Sequence, residues 1–172
     1  RLQGVLGAHR ARALDDVAQL AHVAGPGHLG QLTLRHRLDR LPPGERHLLQ
    51  RAAVIGRDFS LEAIAALSAQ SSTDAIAGEL SELMRRELVH GSSARGFRFH
   101  HVLIRDVAYS GLPKAERAEL HERLGSWLAD GSDEIVGYHL EQAYRFRAEL
   151  GVLDEGTRRL AAEAGTRLGT AG

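Results

Sequence analysis

The sequence predicts a mainly α-helical fold that carries one short β-hairpin and ends in antiparallel helix pairs. Three observations support this. Apolar residues recur at helical spacing along most of the chain, most clearly at Ile76, Leu80, Leu83, Met84 and Leu88. Two short runs of strand-forming residues, Leu88-Val89-His90 and Phe97-Arg98-Phe99, flank the turn-forming stretch Gly91-Ser92-Ser93-Ala94-Arg95-Gly96. From Val102 onward, four helical patterns follow one another with short breaks.

Taken in order, Leu14, Val17, Ala18 and Ala21 place a helix over Ala8 to Val23, and Gly25-Pro26-Gly27 predicts its stop in a turn. A second helix is expected from Leu32 to Leu41, ended by Pro42-Pro43. A third should begin with Pro43 in its first turn, where a missing N–H costs nothing. This third helix should bury Leu48, Leu49, Ala52 and Val54 or Ile55. Ser60 is suited to cap a short helix over Leu61, Ile64, Ala65 and Leu67. The striped helix starts near Thr73 or Asp74 and runs into the hairpin. Helices over Val102 to Leu112, Ala115 to Ala129, Glu134 to Leu150 and Glu155 to Leu168 complete the chain. Three helices followed by a hairpin is the order of a winged helix.

Composition narrows the functional classes. A hydrophobic content of 43% over 172 residues is enough to fold a core. The 22 basic and 22 acidic residues cancel, so no overall field draws the chain to nucleic acid or an anionic membrane. With no cysteine, disulfides, thiolate metal sites and cysteine nucleophiles are excluded, and a cytoplasmic location is the default expectation. No apolar run approaches the roughly 20 residues of a membrane span, and the start has no secretory signal pattern. The chain opens with Arg1 and stops at Gly172 inside an alanine-rich, helix-like pattern, which predicts neighbouring segments on both sides.

The stretches LDRLPPGERHLLQRAAVIGRDFSLEAIAAL, LVHGSSARGFRFHHVLIRDVAYSGLPKAERAELHERLGSWL and YHLEQAYRF carry a family resemblance over roughly Leu32 to Leu168. They resemble the segment downstream of the P-loop core in bacterial STAND-type signalling ATPases. The similarity is to multidomain class III adenylate/guanylate cyclase relatives and to LuxR-type large ATP-binding transcriptional regulators. The resemblance implies a linker over 1–30, a winged-helix regulatory domain over 31–112 that packs on the ATPase core, and the start of a tetratricopeptide-like solenoid over 113–172. It also implies ATP or ADP with Mg in the parent protein, an upstream P-loop core in the same polypeptide, and protein partners on the repeats.

The family often carries a Met-His-Asp motif just after the hairpin, whose histidine touches the β-phosphate of ADP. Phe99-His100-His101 stands in the matching place, with Phe99 and His101 replacing Met and Asp. The resemblance therefore implies that His100 senses the nucleotide state, with His101 and Arg105 beside it. Chemically, a strand end that opens a helix offers unpaired N–H groups and a dipole favourable to an anion. The residues by themselves favour a plainer reading, in which His100 or His101 caps the helix or packs against Phe97. Arg105 could reach a phosphate or carboxylate across a domain boundary, or could be an ordinary surface charge.

Several motifs are set aside. Gly25-Pro26-Gly27-His28-Leu29-Gly30 matches GxGxxG, but a helix pattern precedes it and the proline removes a donor, so it reads as a turn. His121-Glu122-Arg123-Leu124-Gly125 begins like a zinc-protease HExxH, yet Gly125 stands where the second ligand must be. The ten histidines, including His9, His22, His28, His36 and His47, are scattered and read as mostly surface residues. Trp127, with Leu120, Leu124 and Leu128, reads as core or helix-pair packing. With no GxxxxGK[ST], no GxSxG and no metal or catalytic constellation, the chain is not expected to be an enzyme or to bind a cofactor by itself.

The leading expectation is therefore a regulatory and interaction module of a larger ATP-dependent signalling protein. The alternative is a DNA-binding winged helix of a transcriptional regulator, with the Thr73 to Leu88 helix in the major groove. Direct nucleic-acid contact is disfavoured because that helix sets Arg85 and Arg86 against Asp74, Glu79, Glu82 and Glu87.

Overall fold

The computed structural model describes residues 26–68 and 72–170, and the helix expected over Ala8 to Val23 lies outside them. Two compact units are present, Arg1–Arg40 and Leu41–Gly172. In the first, helix α1 spans Pro26–Asp39. This corrects two expectations, since the helix begins at Pro26 rather than near Leu32, and the Pro26-Gly27 stop is a start. Pro26 opens a helix at little cost because its φ is already helical and its missing N–H would be unpaired there anyway. Gly27 and Gly30 are carried inside the helix at about 1 kcal/mol each relative to alanine. From Pro26 onward the GxGxxG-like stretch is therefore helical, not a turn. The helix also runs across the boundary expected at 30/31.

The second unit is mainly helical with a small sheet. Its elements are α2 (Pro43–Ile55), β1 (Asp58–Phe59), α3 (Leu61–Leu67), α4 (Thr73–Arg85), β2 (Val89–Ser92), β3 (Gly96–Phe99), α5 (Val102–Ser110), α6 (Lys114–Trp127), α7 (Asp133–Glu149) and α8 (Glu155–Thr170). The expected hairpin is present. A third strand, β1, extends it antiparallel in the order β1-β3-β2, with Phe59 opposite Phe97 and Asp58 opposite Arg98. At two residues, β1 is too short to show a period of two in the sequence.

Local chemistry fixes the element ends. Pro43 sits in the first turn of α2. Ser60 and Ser72 cap α3 and α4, their hydroxyl oxygens accepting from the Ala63 and Ala75 N–H groups. At the end of α4, Glu87 takes a left-handed φ of 57°, and the Leu88 N–H donates back to the Leu83 carbonyl at 3.0 Å. That closure turns the chain directly into β2. Gly91 has φ 139°, and a Cβ there would run into the Gly96 carbonyl oxygen, so no side chain fits in the hairpin.

Leu48, Leu49, Ile64, Leu67, Ile76, Leu80, Leu83, Leu88 and Phe99 are buried almost completely. Phe59 stacks on Phe97 at 5.9 Å and meets Phe99 edge-on at 5.4 Å, which seals the sheet against this core. Of the predicted α4 stripe, Ile76, Leu80 and Leu83 face inward, but Met84 is 37% exposed. At 100° per residue Met84 lies about 80° round the helix from Ile76, at the edge of the stripe. Val54, Leu67, Leu112, Leu120 and Leu124 share one apolar cluster that spans both sides of residue 112.

The last three helices stack as successive antiparallel neighbours. Lys114 at the start of α6 pairs with Glu149 at the end of α7, and Asp133 at the start of α7 pairs with Arg167 near the end of α8. Val136, Leu140, Ala143, Leu160 and Ala164 form the α7–α8 core. Leu128 packs against this cluster and the preceding one. Trp127 does not join them. It is 47% exposed, because the buried stripe of α6 is centred on Leu120, His121 and Leu124 and Trp127 falls outside it. Among the described residues no helix is long and apolar enough to cross a membrane.

Removing the α3 cap with Ser60→Ala should lower unfolding free energy in urea by about 1 kcal/mol. Gly91→Ala should cost more, about 2–4 kcal/mol, because it combines positive φ with a backbone collision. Equal costs in the two variants would count against the tight hairpin turn.

Candidate functional site: the His100 junction and a buried histidine pair

Where β3 ends and α5 begins, the chain presents His100 and His101 at the surface. The His100 backbone is held by its N–H donating to the Leu88 carbonyl at 3.0 Å, which continues the hairpin ladder. Its ring meets the His90 ring edge-on, centroids 5.8 Å apart, so two imidazoles share this corner. His101 is the N-cap of α5: its Nδ1 accepts from the Leu103 N–H at 3.1 Å. One of the first N–H groups of α5 is thereby satisfied from within the chain, and the neutral His101 ring carries its proton on Nε2.

Arg105 points the other way. Its Nε donates to the Ala53 carbonyl of α2 at 3.2 Å, its Nη1 lies 3.2 Å from the Asp106 carboxylate, and its guanidinium sits 5.6 Å from the centre of the Tyr109 ring. It ties α5 to α2. The structure thus brings His100 and His101 together at one exposed junction and sends Arg105 toward the interior face of the same helix.

That interior face leads to a constellation absent from the sequence reading. His121 on α6 and His139 on α7 are 1% and 4% exposed and stand apart from His36, His47, His90, His100 and His101, which lie at the surface as expected. Their Nδ1 atoms lie 2.9 Å apart, and the Tyr109 hydroxyl of α5 lies 2.8 Å from His121 Nε2. Each neutral ring carries one proton, so the chain of bonds runs in one of two directions. Either Tyr109 donates to His121 Nε2 and His121 Nδ1–H donates to His139, or both bonds are reversed.

The discarded HExxH match, which lies in the second half of α6, explains the approach. A Cβ on Gly125, one turn after His121, would lie 2.8 Å from Leu140 Cδ2, and Leu140 is buried. The residue that rules out a zinc pair on one helix is the one that lets α6 and α7 come close enough to pair histidines across two. Among the described residues no group of three or more His, Asp or Glu side chains is placed to hold a metal.

The surroundings keep the pair neutral. Burial, then the neighbouring His139, Arg105 and Arg117, push His121 down to about 3. Burial lowers His139 to about 4. Arg117 lies 4.8 Å from the Tyr109 ring centre and 5.6 Å from that of Phe146, so its charge also faces the cluster. Burial raises the Tyr109 hydroxyl above its ordinary value, and the phenol stays protonated.

Tyr109→Phe keeps the ring and removes the partner of a buried imidazole nitrogen. Urea unfolding at pH 7 should show a loss of about 1–2 kcal/mol. A change below about 0.3 kcal/mol would mean that the hydroxyl contributes no net hydrogen bond. No protein-family model matches the chain, and no curated protein or solved structure matches it.

Proposed function

We propose that the chain is a regulatory and interaction segment of a larger ATP-dependent signalling protein. In this reading it couples the nucleotide state of an upstream P-loop ATPase core to an output domain, a nucleotide cyclase or a transcription regulator. The observation that carries the proposal is the His100 junction. Its backbone is fixed by the hairpin and the residue is exposed, one position before the N-cap of α5, where a helix N-terminus favours an anion. In this reading ATP, ADP and Mg are held by the parent protein, since the GxxxxGK[ST] motif does not occur in this sequence.

Two further features support the reading. Helices α2, α3 and α4 followed by the β2–β3 hairpin, with β1 closing on β3, are in the order of a winged helix. The antiparallel succession α6, α7, α8 supports reading the remainder as the start of a tetratricopeptide-like platform for protein partners. A cytoplasmic location belongs to the same proposal.

The DNA-binding alternative is weaker on charge. Arg85 pairs with Glu82, Arg86 with the buried carboxylate of Glu45, and Arg98 of the hairpin with Asp58. Cations already matched by carboxylates leave a small phosphate footprint.

His100→Ala in the full-length parent tests the proposal. Loss of one charge-assisted hydrogen bond to phosphate should weaken ADP affinity roughly 10- to 100-fold and raise basal output. Ser72→Ala, which removes the α4 cap away from the junction, serves as the control for a merely structural effect. Unchanged ADP affinity in the His100 variant would remove the nucleotide-sensing role.

A further inference from the structure

We propose that the His121–His139 contact is an acid-operated release, which holds α7 and α8 on α6 while both imidazoles are neutral and lets them come away when both take up protons. The argument begins with proton count. A 2.9 Å approach of two Nδ1 atoms requires one donor and one acceptor. One ring can gain a proton and keep the bond, but two imidazolium rings would turn two N–H groups on each other. Full protonation therefore demands separation of the helices that carry the rings.

The groups facing the pair oppose any charge within the closed contact. From α5 come the Tyr109 hydroxyl and the Arg105 guanidinium, and from α6 the Arg117 guanidinium. From α7 come the Tyr138 and Phe146 rings, 6.2 and 6.0 Å from the His121 ring centre. Two carboxylates on these helices are committed elsewhere. Glu122 pairs with Arg147, and Glu149 with Lys114. No carboxylate bonds to either imidazole among the described residues. A proton entering here meets cations and rings, while the same proton in an opened state meets water.

The sign of the pH effect follows. An imidazole exposed to water takes its proton near pH 6.5, whereas the closed pair holds its values down to about 3 and about 4. Between these limits the opened state binds more protons than the closed one, so acidification favours opening. The stabilisation is complete above about pH 6.5 and is lost as pH falls toward 4. The flanking ion pair Lys114–Glu149 does not share this window, because its hydrogen bond to Lys114 holds Glu149 below the usual carboxylate range. The α7–α8 contact consists of Val136, Leu140, Ala143, Leu160 and Ala164, which gives the two helices a cluster of their own when α6 is released.

The test is amide hydrogen exchange of this chain from pH 7 to 4.5, corrected for the intrinsic exchange rate, together with imidazole proton shifts by NMR. Protection in α7 and α8 should fall roughly tenfold per pH unit for each proton taken up, approaching a hundredfold for two, while α2 and α4 remain protected. The double variant His121→Leu/His139→Leu should lose this pH dependence. His139→Gln, which keeps a neutral partner for His121 and removes one titrating ring, should show about half the logarithmic slope. Three results would overturn the proposal: protection in α7 and α8 that does not change over this range, loss of α2 and α4 in the same step, or an unchanged slope in His139→Gln. Titration of both imidazoles near pH 6.5 with the helices still closed would overturn it as well.

Discussion

Two neutral imidazoles, buried and bonded to each other, set the relation between the two halves of the second unit. His121 can lie in the interior only because His139 and Tyr109 satisfy its two nitrogens, and an unpaired polar group at that depth would cost free energy comparable to a lost hydrogen bond. The three partners come from three different helices. Satisfying them fixes where α5, α6 and α7 meet, and the apolar clusters fill in on either side: Val54, Leu67, Leu112, Leu120 and Leu124 toward the sheet-bearing half, Val136, Leu140, Ala143, Leu160 and Ala164 toward the end of the chain. An apolar substitute could supply similar packing, but it would not demand one register between the helices.

The same cluster is joined to the surface junction through α5. His101 caps the first turn of that helix, and Tyr109 in its last turn reaches the buried pair. Between them, Arg105 holds α5 to the Ala53 carbonyl of α2 and lies over the Tyr109 ring. A nine-residue helix thus has the proposed nucleotide-facing corner at one end and the α6–α7 contact at the other. In the proposed regulatory reading, this short rigid element is the physical route by which an event at the hairpin junction would reach the helical platform.

Charge placement distinguishes the outer faces from this interior. Across the hairpin and along α4, arginines are matched by nearby carboxylates: Arg98 by Asp58, Arg85 by Glu82, Arg86 by Glu45. Between the terminal helices the ion pairs Lys114–Glu149, Glu122–Arg147 and Asp133–Arg167 line the rim. The exposed pairs among these contribute little stability individually, so register rests chiefly on the buried contacts.

Local features were legible in the sequence because their causes are local. The α4 stripe, the Ser60 cap, Pro43 in the first turn of α2, the hairpin and the four later helices each depend on spacing or on one residue's chemistry within a few positions. Pro26-Gly27 was misleading for a related reason, since proline is compatible with both a turn and a helix start, and the surrounding residues did not decide between them. What only the tertiary structure decided depends on residues far apart in the chain. The two-residue β1 becomes a strand by pairing with β3, and Met84 falls to the edge of its stripe and Trp127 outside its own once neighbouring helices take their places. His121 and His139, 18 positions apart on different helices, meet because Gly125 allows the close approach. Periodicity shows which face of a helix is apolar. Which polar side chain on that face will find a partner depends on the helix that arrives opposite it.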